Sequence, residues 1–163
     1  CMSKLQNGNN PEMVRRVFLT PKGIEIDHFV GGSKRVREVF RRLRSGGVDR
    51  FVALSSSDKE SFFRITNGQD ERSIISSELF EKVWERNPDT RVEFIKYNIP
   101  VADNAEYLEF EGGLLKNLRL AEIEFPDGAT AKAFDIPTWF DREVTGDPRY
   151  SNEQLATHGV PLE

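Results

Sequence analysis

Cysteine is nearly missing from this chain: the only one, Cys1, stands ahead of Met2, so no disulfide framework or thiolate metal cluster can be built from it. Histidine is as scarce. His28 and His158 lie far apart and bring no ligand spacing with them, which argues against a zinc enzyme. There is no apolar run of the 18 or so residues that a membrane-spanning helix needs, and no charged-then-apolar leader. A cytoplasmic protein with no membrane partner is the simplest expectation. An excess of positive charge is missing too: 23 Lys and Arg against 27 Asp and Glu give a formal charge of -4. The molecule as a whole therefore does not attract a nucleic-acid duplex, and any anion site has to be local.

What is present suits one folded core. The 163 residues are 37% apolar and 31% charged, too rich in Phe, Leu, Ile and Val for disorder. Residues 1–11 carry four Asn or Gln with little to bury and read as a tail; a domain is expected over 12–157, with a short tail at 158–163. Segments rich in β-branched and aromatic residues recur between turn residues: MVRRVFL, IEIDHFV, RVREVFRRLR, RFVALS, SFFRIT, RVEFIKYNI, AEYLEFE and LRLAEIEF. These predict about eight strands. The turns at Ser45-Gly46-Gly47 and Ser56-Ser57-Asp58-Lys59 predict antiparallel hairpins. SSELFEKVWERN predicts one amphipathic helix with a Ser N-cap and a stop at Asn87-Pro88, and FDREVT and NEQLAT predict two further short helices.

Two strands carry charge on one face. LRLAEIEF alternates so that Glu122 and Glu124 share a face opposite Ala121, Ile123 and Phe125, and in RRLR the side chains of Arg42 and Arg44 share a face. Alternation alone leaves two readings open: charges facing water over a half-buried sheet, or charges facing into a cavity. A cavity of the second kind would suit a polyphosphate with its metal, because Arg forks match phosphate oxygens and paired carboxylates hold a hard cation.

Residues 122–152, EIEFPDGATAKAFDIPTWFDREVTGDPRYSN, decide how this is taken further. The E-x-E strand of Glu122 and Glu124, then Pro137 with Trp139, then the run from Glu143 to Asn152, resemble the C-terminal signature of the CYTH family, the triphosphate tunnel metalloenzymes. Upstream, RVEFIKYNIP is similar to the family's V-E-K-T-R-Y strand, with Glu93, Lys96 and Tyr97 in place. RRLRSGGVDRFVALS is similar to its R-x-R hairpin through Arg42 and Arg44, and AEYLEFEGG takes the place of a strand with an inward acid, Glu109. The resemblance implies an α+β fold, an eight-stranded antiparallel β-barrel with a few flanking helices. It also implies binding and hydrolysis of a triphosphate compound, inorganic or nucleoside triphosphate, with Mg²⁺ or Mn²⁺. By the same resemblance Arg42, Arg44, Lys96, Arg149 and Arg16 would bind phosphate, while Glu122, Glu124 and Glu109 would be catalytic, serving metal or activating water. Glu122, Glu124 and Glu12 would hold the metal, and a homodimer is compatible with apolar outer strands.

The sequence also departs from the family pattern. The first strand's E-x-E-x-K is matched either by Glu12, Val14 and Arg16, the preferred register, or by Glu25 and Asp27. Ser55 and Phe94 stand where cations belong, and Arg64 and Thr66 where acids belong; Arg64, if inward, would replace a lost cation. A catalytically impaired protein that binds a nucleotide or polyphosphate without turnover is the alternative reading.

Overall fold

Val, Phe, Ile and Leu at alternate positions give long segments that fit a pleated surface. The structure, a computed structural model, describes residues 13–22, 31–66 and 72–162. Eight strands result: β1 (Val14–Leu19), β2 (Lys34–Arg42), β3 (Val48–Ser56), β4 (Lys59–Thr66), β5 (Arg72–Ile74), β6 (Arg91–Asn98), β7 (Ala105–Glu111) and β8 (Arg119–Phe125). Three α-helices accompany them: α1 (Ser77–Arg86) between β5 and β6, and α2 (Gly128–Lys132) and α3 (Asn152–His158) after β8.

The strands form one antiparallel sheet in the order β1-β8-β7-β6-β2-β3-β4-β5, an α+β architecture as expected. Closure into a full barrel is not seen among the described residues, where β1 and β5 remain the two edges. The local reason is visible at β1, whose outer edge is taken by the C-terminal segment. Leu19 N–H donates to the Arg142 carbonyl at 2.9 Å, Asp141 N–H to the Leu19 carbonyl at 2.7 Å and Val144 N–H to the Val17 carbonyl at 2.8 Å. FDREVT, expected to be helical, is therefore extended, with Glu143 bridging Phe18. Its backbone groups do better on a sheet edge that would otherwise be bare.

Other expectations fare differently. Ser76 caps α1 by accepting from Leu79 N–H, and Asn87 ends it; NEQLAT lies in α3, capped by Ser151. The β2–β3 turn needs Gly46 at φ +93, and Ser57 in the β3–β4 turn stands at φ +33. The short β5 and α2 have no counterpart in the sequence reading, and IEIDHFV lies outside the described residues.

Both sheet faces are buried. One carries Phe18, Ala121, Ile123 and Phe125 under Ala131, with Trp139 and Phe140 packed alongside; further along, Val39, Phe51 and Ala53 meet Phe80 and Val83 of α1. The other face carries Val17, Val36, Val52, Phe94, Leu108 and Leu120 under Val144, Tyr150 and Leu155 of the C-terminal segment. Among the described residues no helix is long and apolar enough to cross a membrane.

Candidate functional site

The face covered by the C-terminal segment also carries charge. β1 and β3 stand at the first and sixth places of the strand order, yet Arg15 and Arg50 line the same cavity of about 420 Å³ with Glu38, Lys96 and Glu122. The sheet thus curls around a polar hollow. Phe40, Phe94 and Leu108 form apolar parts of its wall, and Tyr150, Asn152 and Glu153 close it from α3 and the turn before it.

Within it, opposite charges are matched. Glu122 lies 3.4 Å from Arg15 and Glu38 lies 3.6 Å from Arg50 Nε. Lys96 is 3.4 Å from Glu106, which is the direct cross-strand partner of Glu122. Two acids directly opposed on neighbouring strands repel unless a cation stands between or beside them. Burial pushes the Glu122 carboxyl above the ordinary range; Arg15 and Lys96 oppose this, and Glu106 and Glu38 add to it. Glu38 is also raised, first by burial, against the pull of Arg50, Asn152 and Lys96. Three polar atoms of this lining, Arg15 Nε, Glu38 Oε2 and Arg50 Nε, are buried without a hydrogen-bond partner. Such atoms are costly unless a ligand meets them.

Glu122 also opens on a smaller cavity of about 260 Å³, bordered by Asp103, Glu106 and Glu124 with Asn98 and Asn104. An all-oxygen donor set of this kind suits Mg²⁺ or Mn²⁺. Among the described residues, however, no three Asp, Glu, His or Cys side chains are gathered closely enough to hold an ion as they stand. The donors fit in kind; Arg15 and Lys96 hold two of them.

Of the residues expected from sequence, the structure brings Glu122, Glu124 and Lys96 together. The others are elsewhere. Arg42 ends β2 with its side chain 77% exposed and 3.8 Å from Glu153, and Arg44 is exposed in the following turn. Arg149 grips Asp147 through Nε and Nη2. Arg16 points to the opposite face, where Nε and Nη2 reach Glu143 at 2.8 and 2.7 Å. Glu109 also lies on the opposite face, 3.8 Å from Arg119. Arg64 is not inward but bonds the fully buried Asp49 at 2.5 Å. Glu12, Glu25 and Asp27 lie outside the described residues. In the first strand the odd positions Arg15 and Val17 face the cavity, one residue out of step with the Val14–Arg16 register.

Sequence reasoning missed Arg15, Glu38, Arg50 and Glu106. For each of them a signal existed. Glu38 sits between Val36 and Phe40, Arg50 between Val48 and Val52, and Glu106 two places before Leu108, so each interrupts an apolar face. A charge at the buried phase of a strand is an inward charge. Arg15 has Val17 on one side and Met13 on the other, the same pattern at a strand end.

Fold and lining together define a curled antiparallel sheet around a polar, charge-matched cavity. The chain is 40% identical over 78 residues to the inorganic triphosphatase of Nitrosomonas europaea, a match covering 47% of this chain and 52% of that one. It is 37% identical to the inorganic triphosphatase of Acetivibrio thermocellus, with 40% of this chain and 56% of the other covered. The chain thus spans about half the length of these relatives. Among solved structures, it is similar to the crystal structure of the hypothetical protein NE1496, with TM-score 0.71 and 26% identity over 91% of this chain and 99% of that one. A crystal structure of the inorganic triphosphatase NE1496 gives TM-score 0.69 at 24% identity, over 95% and 97% of the two chains; at that identity the likeness is one of fold. No family model matches the chain.

Proposed function

We propose that this chain is a divergent CYTH-type triphosphatase that binds a triphosphate compound in the cavity between β1 and β3 and hydrolyses its terminal phosphoanhydride bond. The observation that carries the reading is the convergence of Arg15, Arg50 and Lys96 on one hollow with Glu122, the four coming from four strands well separated in sequence. The similarity to inorganic triphosphatases over part of the chain supports the same reaction, with inorganic triphosphate as the first substrate to try and nucleoside triphosphates second.

In this reading the three cations meet the phosphate oxygens, Arg15 with its now unmatched Nε among the donors and Arg50 through its terminal guanidinium nitrogens. Glu122, Glu124 and Glu106 would hold Mg²⁺ or Mn²⁺, which when bound offsets charge on the transferring phosphoryl group. As phosphate draws Arg15 and Lys96 toward itself, Glu122 and Glu106 are released for this role. Arg42, Arg44, Arg149, Arg16 and Glu109 are assigned no contact with the terminal phosphate.

Phosphate release from tripolyphosphate, ATP and GTP with Mg²⁺ or Mn²⁺ tests the reading. Turnover is expected, with a loss of about 100-fold or more in Glu122→Gln. Folded protein that releases no phosphate above background from any of these would overturn it. The second reading, a binder without turnover, is favoured by one observation: each cavity cation already has a carboxylate partner, so the lining is close to neutral. It predicts ligand binding with no phosphate release.

A further inference from the structure

Resting on that reading, we infer that Glu38, held opposite Arg50, is a catalytic residue that positions and deprotonates the water attacking the terminal phosphorus. Three observations meet at this carboxylate. Glu38 is 7% exposed on the central strand β2, a place where an acid is expensive unless it is used. Its Oε1 is fixed by the side-chain amide of Asn152 from α3 at 3.3 Å, so the group is oriented and one oxygen is spoken for. Its Oε2 accepts no hydrogen bond, and neither does the facing Arg50 Nε donate one, the two standing 3.6 Å apart on the wall of the 420 Å³ cavity.

An acceptor and a donor side by side select a small molecule that can both donate and accept. A phosphate oxygen satisfies only Arg50 and is repelled by Glu38. Water satisfies both, giving one O–H to Glu38 and one lone pair to Arg50 Nε, and keeps a second lone pair free. That lone pair forms the new bond to the terminal phosphorus. The bond from this phosphorus to the bridging oxygen breaks, and its electron pair leaves with diphosphate. The water proton passes to Glu38 Oε2 and then to solvent, so orthophosphate and diphosphate are the products.

The surroundings suit the task. Facing Glu38 are Arg50 from β3, Lys96 from β6, Arg15 from β1, Glu122 from β8, and Asn152 and Glu153 from α3. Burial raises its carboxyl above the ordinary range, which brings a base closer to neutral pH, where proton transfer is most effective. Glu38 also stands on β2, separated from the Glu106–Glu122–Glu124 group by β6 in the strand order, so base and metal-holding acids approach the phosphoryl group from different strands.

The test uses the full chain with tripolyphosphate and Mg²⁺. Glu38→Gln keeps the shape and an oxygen for Asn152; kcat is expected to fall by about 10²- to 10⁴-fold, with KM within about threefold of the parent. The acid limb of the kcat–pH profile should vanish with it. Glu38→Ala should regain activity with added formate, which a purely structural role would not produce. If Glu38→Gln does not fold, as judged by circular dichroism, the formate rescue of Glu38→Ala decides the matter alone, and no rescue overturns the assignment. Unchanged kcat in folded Glu38→Gln, or an effect on KM only, overturns the role of Glu38 and leaves the triphosphatase reading intact. Absence of turnover in the parent protein overturns both.

Discussion

Glu122 shows at the scale of one residue how a site is held against folding. Its carboxyl is raised first by burial, so the free protein gains stability from it below the unfolded pKa of about 4.3 and loses that gain as pH rises through the raised folded value. Glu143 and Asp147 behave oppositely. The Arg16 fork holds Glu143 below the ordinary range, and the Arg149 guanidinium holds Asp147 down at about 2, so their contribution is present at neutral pH and lost on acidification through those lowered values. The melting difference between Glu122→Gln and parent isolates the first effect, because the other two groups are common to both. At pH 8 the variant is expected to melt about 2–4 °C higher, and near pH 4 the difference should shrink toward zero. A variant that melts lower at pH 8 would mean that Arg15, left without its partner, outweighs the relief.

Asp49 is the counterexample on the other face. It is fully buried and held by Arg64 and Arg41, both of which lie over Phe51. Here a buried carboxylate fastens β2, β3 and β4, both guanidinium groups meeting its Oδ2.

At the scale of elements, the segment 141–145 does two things at once. It supplies β1 with an outer neighbour, and it carries the chain over the cavity to Tyr150 and α3. Thr145 is the joint: its Oγ1 accepts from Val17 N–H at 2.8 Å and bonds Glu143 at 2.6 Å, which in turn receives Arg16. Thr145→Val keeps the shape and leaves the Val17 amide without a partner. A destabilisation of about 1–3 kcal/mol is expected, measurable as a lower urea midpoint with unchanged slope. Because Val17 sits beside Arg15 on β1, weaker binding of tripolyphosphate should accompany it; a variant as stable as the parent would show that this edge is held by the backbone bonds alone.

At the scale of the whole molecule, the net charge of -4 and the matched pairs in the cavity mean that the proposed anion binding would be a local exchange of partners. A ligand that makes this exchange binds only the folded chain. Tripolyphosphate with Mg²⁺ at about 100 times its dissociation constant should stabilise the protein by about 2.7 kcal/mol, or some 5–11 °C in Tm. Since Glu122 and Glu106 are now each tied to a cation, either component alone should give a smaller shift than the two together. Equal shifts with Mg²⁺ alone would point to a cation site independent of phosphate.

The antiparallel sheet, its strands outside β5, the capped helix α1 and the shared face of Glu122 and Glu124 were determined by the sequence itself. Strand alternation, turn residues and the run from Glu122 to Asn152 are local properties, and local chemistry is enough to fix them. Which charges meet was decided only by tertiary structure. Arg42 and Arg44 share a face with Glu38, but they fall at the end of β2 and in its turn, where water reaches them. Glu109 is one residue out of phase with Glu106, and Arg16 one out of phase with Arg15. A step of one residue turns a strand side chain to the other face, and both faces of this sheet are covered. Only the curl that carries β1 round to β3, with α3 laid across the opening, leaves a polar cavity within the buried surface of one face.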